Sequence, residues 1–168
     1  MLDFVNKAIK VFMGDKNKKD MKAASPVVKE VNAEFDKLTS LTIDQLRAKT
    51  NEFKKHINDS LSDIDKEVND LEKAIEQQPD MPTDDKEAIY ADIDKLKKSR
   101  DEELEVVLMD LLPQAFAVVK ETARRFKENE ELRVTATELD KELAAVRNHI
   151  SIDGNHAVYQ NAWEAAGN

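Results

Sequence analysis

Three histidines, several adjacent acid pairs and one arginine pair are the side chains of this sequence that could do chemistry. Glu52 and His56 stand four apart, while His149 and His156 lie near the carboxy end. A zinc site would need further ligands at short helical or turn spacing, and a di-iron bundle needs Glu-x-x-His twice over. No Glu-x-x-His occurs, and cysteine is absent. The histidines therefore read as structural or solvated. Asp84-Asp85, Glu102-Glu103 and Glu130-Glu131 could serve as acid and base only in a pocket that shifts their proton affinities. On charged helices such pairs read as a solvated face.

Nucleophiles and phosphate cradles fare no better. No Gly-x-Ser-x-Gly elbow is present. A phosphate loop needs clustered glycines running into Lys-Ser/Thr at a helix start, so that backbone amides surround the anion. The three glycines stand far apart, at Gly14, Gly154 and Gly167. Arg124-Arg125 could bind phosphate, but arginines near a helix end also complement its dipole. Trp163 reads as packing on a neighbour rather than stacking a ligand. From the residues, then, no catalytic, cofactor-binding or metal site is expected, and a carboxylate-based helical enzyme is the weakest reading.

The elements that would carry these residues are helical. Of 168 residues, 36% are charged and only 5% aromatic, with 3 Gly and 4 Pro. That balance favours long solvated helices over sheets. The net charge of −9 argues against nucleic acid as a partner. The charge is uneven, because Lys7, Lys10, Lys16, Lys18, Lys19 and Lys22 crowd the amino end. With no cysteine and no apolar run near the roughly 20 residues that span a bilayer, the chain reads as soluble and cytoplasmic.

Leu2, Val5, Ala8, Ile9 and Phe12 recur at helical spacing, with Lys7 and Lys10 off the stripe. Leu2, Val5, Lys7, Ile9, Lys10 and Phe12 are the candidate contacts to a membrane or channel; packing on the chain's own domain is the competing reading. Residues 1–24 are expected to form this helix and a basic linker, and Ser25-Pro26 to open the next helix. Thr42 with Gln45 matches a capping box. Leu46, Thr50, Phe53, Ile57, Leu61, Ile64, Val68, Leu71 and Ile75 then trace one coiled-coil seam. Ile89, Ile93, Leu96, Arg100, Leu104, Val107 and Leu111 trace a second. The Pro79–Pro82 break between them predicts an antiparallel hairpin, since neither stripe can be buried alone.

Pro113 predicts a break at Asp110–Leu112 and a new helix to about Lys127, with Ala115, Phe116, Val119, Ala123 and Phe126 largely buried. Thr135 with Glu138 predicts a capped helix bearing Leu139, Leu143 and Val146. Ile150–Ile152, a turn through Gly154 and His156–Gln160 predict a β-hairpin. The expected fold class is mainly α: a long antiparallel coiled-coil hairpin, shorter helices and a small β-hairpin near the carboxy end.

Leu111 to Arg125 reads LLPQAFAVVKETARR and resembles the LLPEAFAVVREAARR block near the start of SecA preprotein translocase ATPases, departing at Gln114, Lys120 and Thr122. Leu41 to Phe53 is similar to that family's LSDEELRAKTEEF, and Leu2 to Asn17 to its amphipathic start. Against this pattern, 25–56 and 111–127 are family-like, 57–110 is an inserted hairpin, and 128–168 is a second insert.

The resemblance implies the amino-terminal part of a motor that couples ATP hydrolysis to preprotein export through the SecYEG channel. ATP and magnesium would be bound by motifs downstream of these blocks, so the chain is expected to end before them, to hold no cofactor and to lack ATPase activity. The implied partners are SecYEG, preprotein, anionic lipid and a second copy, at the cytoplasmic face of the inner membrane. Docking by the amino-terminal helix would map onto Met1 to Phe12. The alternative is a free-standing coiled-coil interaction module.

Overall fold

A computed structural model describes residues 16–162. Four helices and three strands follow in order: α1 (Lys16–Leu38), α2 (Ile43–Gln77), α3 (Thr83–Glu128), β1 (Glu131–Thr135), α4 (Glu138–Val146), β2 (Ile150–Asp153) and β3 (His156–Gln160).

Helix α1 is already formed at Lys16, where the described residues begin, rather than opening at Pro26, which lies inside it. The expected basic linker is therefore helical as far as the described residues reach. Residues 19–26 are exposed and show no apolar stripe, which is why they read as linker. Lys, Ala and Met nevertheless favour helix without any packing, and the carbonyl that Pro26 leaves unpaired belongs to exposed Lys22, where water can take the missing donor's place.

Thr42 caps α2 as expected. Its hydroxyl accepts from the Gln45 amide at 3.2 Å, and its own amide donates to Gln45 Oε1 at 2.8 Å. Helix α2 then runs 35 residues, about 52 Å at 1.5 Å per residue, and α3 returns antiparallel along it. Leu46, Leu61 and Val68 on α2 and Ile93, Val107 and Leu111 on α3 are buried. Every other expected seam position is half-buried except Thr50, which is exposed. Arg100 sits in the seam because Asp65 accepts its Nε at 2.5 Å. At the tip, the Met81 amide donates to the Gln78 carbonyl and Lys86 Nζ to the Pro79 carbonyl at 2.8 Å.

The expected break before Pro113 does not form. Helix α3 continues unbroken for 46 residues. The carbonyl that Pro113 cannot serve is that of Met109, itself 59% exposed, so solvent can serve it instead. The expected inner face of this stretch is also wrong. Ala117, Glu121 and Arg125 point inward, whereas Phe116 and Val119 are 58% and 65% exposed and Ala123 is exposed. Ala115 and Phe126 are half-buried. The small Ala117 side chain lets α1 approach closely, and Leu38, Leu46 and Ala117 form a core flanked by Phe35, Leu41 and Val118. Lys120 Nζ lies 4.1 Å over the Phe35 ring and reaches Asn32 at 2.6 Å.

The β-hairpin forms, and Gly154 at φ 58° supplies the left-handed residue its tight turn requires. A third strand joins it. Residues Glu131–Thr135 pair antiparallel with β3, giving the order β1-β3-β2. Thr135 therefore belongs to a strand and cannot cap α4. Thr137 does so, with Asp140 as its reciprocal partner. Leu139 and Val146 of α4, expected on an apolar face, are 58% and 73% exposed.

Candidate functional site

The described residues meet at a junction where α2 begins, α3 ends and the sheet closes over both. Its centre is Asp140, whose side chain is fully buried. The capping turn positions that carboxylate: the Thr137 amide donates to Oδ2 at 2.7 Å and the Thr137 hydroxyl at 2.8 Å. Oδ1 receives Arg47 Nη2 at 2.7 Å and the Tyr159 hydroxyl. Burial alone would push the Asp140 carboxyl up; the hydrogen bonds from Tyr159, Thr137 and Arg47 overcome this and hold it below the usual carboxylate range. Tyr159 is pushed the other way, up to about 12, by burial and by donating to that anion.

Helix α2 grips the same turn twice more. Arg47 also donates to the Thr137 hydroxyl at 3.2 Å, and Asp44 accepts the Thr135 amide at 2.9 Å and its hydroxyl at 2.8 Å. Four elements thus converge on one carboxylate and its neighbours.

A second buried acid, Glu121, lies on the inner face of α3. Arg124 donates to both of its oxygens at 2.7 and 2.8 Å, and Arg125 Nε donates to Oε1 at 2.7 Å. Hydrogen bonding by Arg124 outweighs burial and holds Glu121 below its ordinary range. Arg125 then reaches across to the Leu41 carbonyl at 2.7 Å and the Leu38 carbonyl at 3.3 Å, so it staples the α1–α2 turn to α3. Arg124 also pairs with Glu128. Both arginines are committed to protein partners, which leaves the phosphate-binding reading of this pair without support.

Between these clusters lies a largely apolar cavity of about 270 Å³, walled by Val118, Phe126, Leu132, Val134 and Tyr159, with the Thr50 and Thr122 hydroxyls on its sides.

The other candidates stay apart. His56 and His156 are exposed, and His149 is half-buried with its Nδ1 buried and without a hydrogen-bond partner. The acid pairs Asp84-Asp85, Glu102-Glu103 and Glu130-Glu131 are exposed. Among the described residues no three His or acidic side chains group as metal ligands, and the one glycine there, Gly154, serves the hairpin turn. These residues do not fit a nucleotide-phosphate cradle. Leu2, Val5, Lys7, Ile9, Lys10 and Phe12, and also Trp163, lie outside the described residues. Sequence reading missed Glu121, Asp140 and Arg47. The one available signal was the Thr137-x-x-Asp140 spacing, which a competing Thr135-x-x-Glu138 obscured.

A family model described as the SecA DEAD-like domain matches residues 9–139, which includes α1, α2, α3 and the Arg47 side of the junction. The chain belongs to the SecA family. Protein translocase subunit SecA of Christiangramia forsetii is 40% identical over 166 residues, covering 99% of this chain and 15% of that relative. The SecA of Cytophaga hutchinsonii is 47% identical over 154 residues, and that of Amoebophilus asiaticus 44% over 154, each covering 92% of this chain and 14% of the relative. The chain thus spans about one seventh of the length of these SecA relatives. No solved structure matches. An alignment over 99% of the chain takes in residues 57–110 and most of 128–168, so that SecA relative carries sequence corresponding to these segments. Membership in the SecA family sets aside an unrelated coiled-coil module.

Proposed function

We propose that this chain is the amino-terminal bracing segment of a SecA-type motor subunit, which couples ATP hydrolysis to preprotein export through a SecYEG channel. The observation that carries the reading is the outer face of α3. Met109, Leu112, Phe116, Val119 and Ala123 follow at steps of three and four, over about 21 Å of helix. Met109, Phe116 and Val119 are more than half exposed there. An apolar stripe of this length on an otherwise charged chain marks a surface that another part of a larger assembly covers. From Leu112 onward it lies within the block that resembles SecA, and the SecA relatives are about seven times longer.

In this reading ATP and magnesium are held by the rest of the motor. Residues 25–56 and 111–127 brace it, 57–110 and 128–168 are family-variant additions, and the protein works at the cytoplasmic face of the inner membrane. Leu2, Val5, Lys7, Ile9, Lys10 and Phe12 would contact anionic lipid or the channel, supported by their amphipathic, lysine-bearing spacing. No helix among the described residues is long and apolar enough to cross a membrane.

The test uses the full-length parent. Phe116→Ser with Val119→Ser is expected to lower its preprotein-stimulated ATP hydrolysis at least tenfold, while the same pair leaves the melting of the 168-residue chain unchanged. A parent with full activity and unaltered stability would discard the brace. Docking is tested separately: equal pelleting with anionic liposomes, with and without residues 1–12, removes that role.

A further inference from the structure

We propose that the element covering the outer face of α3 is an amphipathic α-helix from the rest of the motor polypeptide, with lysine or arginine at the end that meets Glu102 and Glu105. This rests on the bracing reading above and names the partner that the apolar stripe takes. Extended toward the hairpin, the stripe keeps one period. Glu102, Glu105 and Met109 lead into Leu112, Phe116 and Val119 at alternating steps of three and four. Such alternation is the seam of helix-on-helix packing. The inner side of α3 already shows it: Ile93, Leu96, Arg100, Leu104, Val107 and Leu111 follow the same steps, and their partner is the helix α2.

The two ends of the stripe differ in sign. Glu102 and Glu105 hold stripe positions at the hairpin end, beside Asp101, Glu103 and Asp110, and all five are exposed. Glu102 meets Lys98 only at 3.8 Å, with both side chains largely in water. Lys127 stands exposed one turn beyond Ala123 at the other end. A partner seated along the face therefore needs cations opposite Glu102 and Glu105, where an acid would be repelled. The same five acids turn away an anionic lipid surface, which the apolar residues alone would admit.

Area separates a tethered helix from a free partner. At a helix's width of about 10 Å, a stripe about 21 Å long offers on the order of 200 Å². That is well short of the roughly 800 Å² per partner that a stable association of separate molecules buries. A helix joined to α3 through the same polypeptide escapes that requirement, because linkage supplies its effective concentration. The SecA relatives, about seven times longer, have chain to provide it.

The photo-crosslinking residue p-benzoylphenylalanine, replacing Met109, Leu112, Phe116 or Val119 of the full-length parent one at a time, traps whatever lies against the stripe. Peptide mass spectrometry then locates the trapped sites. They are expected on one segment of the same polypeptide outside residues 1–168, advancing by three or four residues from each variant to the next. Opposite Met109, a lysine or arginine should stand within one turn. An advance of only about two residues would make the partner a strand, because a strand rises about 3.3 Å per residue against 1.5 Å for a helix. That result overturns this inference and leaves the brace standing, as does a segment with acids opposite Met109. Trapping between two polypeptides would assign the face to a second copy, and trapping within residues 1–168 to the chain itself; either overturns the inference. No protein trapped at any of the four positions would remove the brace along with it.

Discussion

Arg47 and Asp140, 93 positions apart, meet at 2.7 Å where the start of α2 touches the cap of α4. One side chain belongs to a helix that continues into the long hairpin; the other lies just past the matched SecA region, in the segment that carries the sheet. Their contact fixes the sheet to the base of the hairpin.

Asp140→Asn is expected to destabilise the chain by about 2 kcal/mol. The figure falls below the roughly 3–5 kcal/mol for breaking a fully buried pair, because Arg47 remains 35% exposed and can rehydrate. Urea unfolding followed by circular dichroism measures it. A loss under about 0.5 kcal/mol would mean that the junction does not depend on this charge.

Two titrations bound the pH range of the junction. Asp140 is held below the unfolded value of about 3.9, so its contribution is complete at neutral pH and fades as acidity rises below about pH 4. Tyr159 is raised to about 12, so its contribution is complete below the unfolded value of about 10 and is lost as pH climbs from there through 12. Tyr159→Phe should therefore flatten the alkaline limb of a stability–pH curve and, because it removes one donor to Asp140 while Thr137 and Arg47 remain, shrink the acid limb without abolishing it. An unchanged alkaline limb would remove Tyr159 from the account.

Arg125→Lys should cost about 1–2 kcal/mol. A lysine cannot serve Glu121 and the Leu38 and Leu41 carbonyls at once, because it lacks the planar fork. Hydrogen exchange at the α1–α2 turn reads the effect locally. Protection there equal to that of the unmutated chain would show that the staple is dispensable.

In the hairpin, Leu61→Ala should cost about 2–5 kcal/mol, since Leu61 is only 2% exposed. Arg100→Leu at the neighbouring seam position should change stability by less than about 1 kcal/mol in either direction, because its pair with Asp65 is partly solvated. Thermal melts of the two variants should separate widely. Equal shifts would contradict the assignment of Leu61 to the seam's centre.

The period of the apolar residues made the two long helices, their antiparallel return and the Thr42 cap legible in the sequence alone. Each is a local property, carried by residues three or four apart. The β-hairpin was legible for the same reason, because Gly154 permits the turn that alternation on either side requires.

Tertiary contact decided the rest. Pro113 permits either a break or a continuing helix, and packing on both sides of it selected continuity. Phe116 and Ala117 are adjacent, and hydrophobicity alone favours burying the phenylalanine. The close approach of α1 buries the alanine instead. Glu121 and Asp140 read as two more surface acids among 35, because a carboxylate tolerates burial only when donors arrive to meet it. Asp140's charged donor comes from 93 residues away, and the arginine that locks Glu121 anchors itself on carbonyls more than 80 residues back. Spacing along the chain encodes the period of an element, but it does not encode which distant group will lie against it.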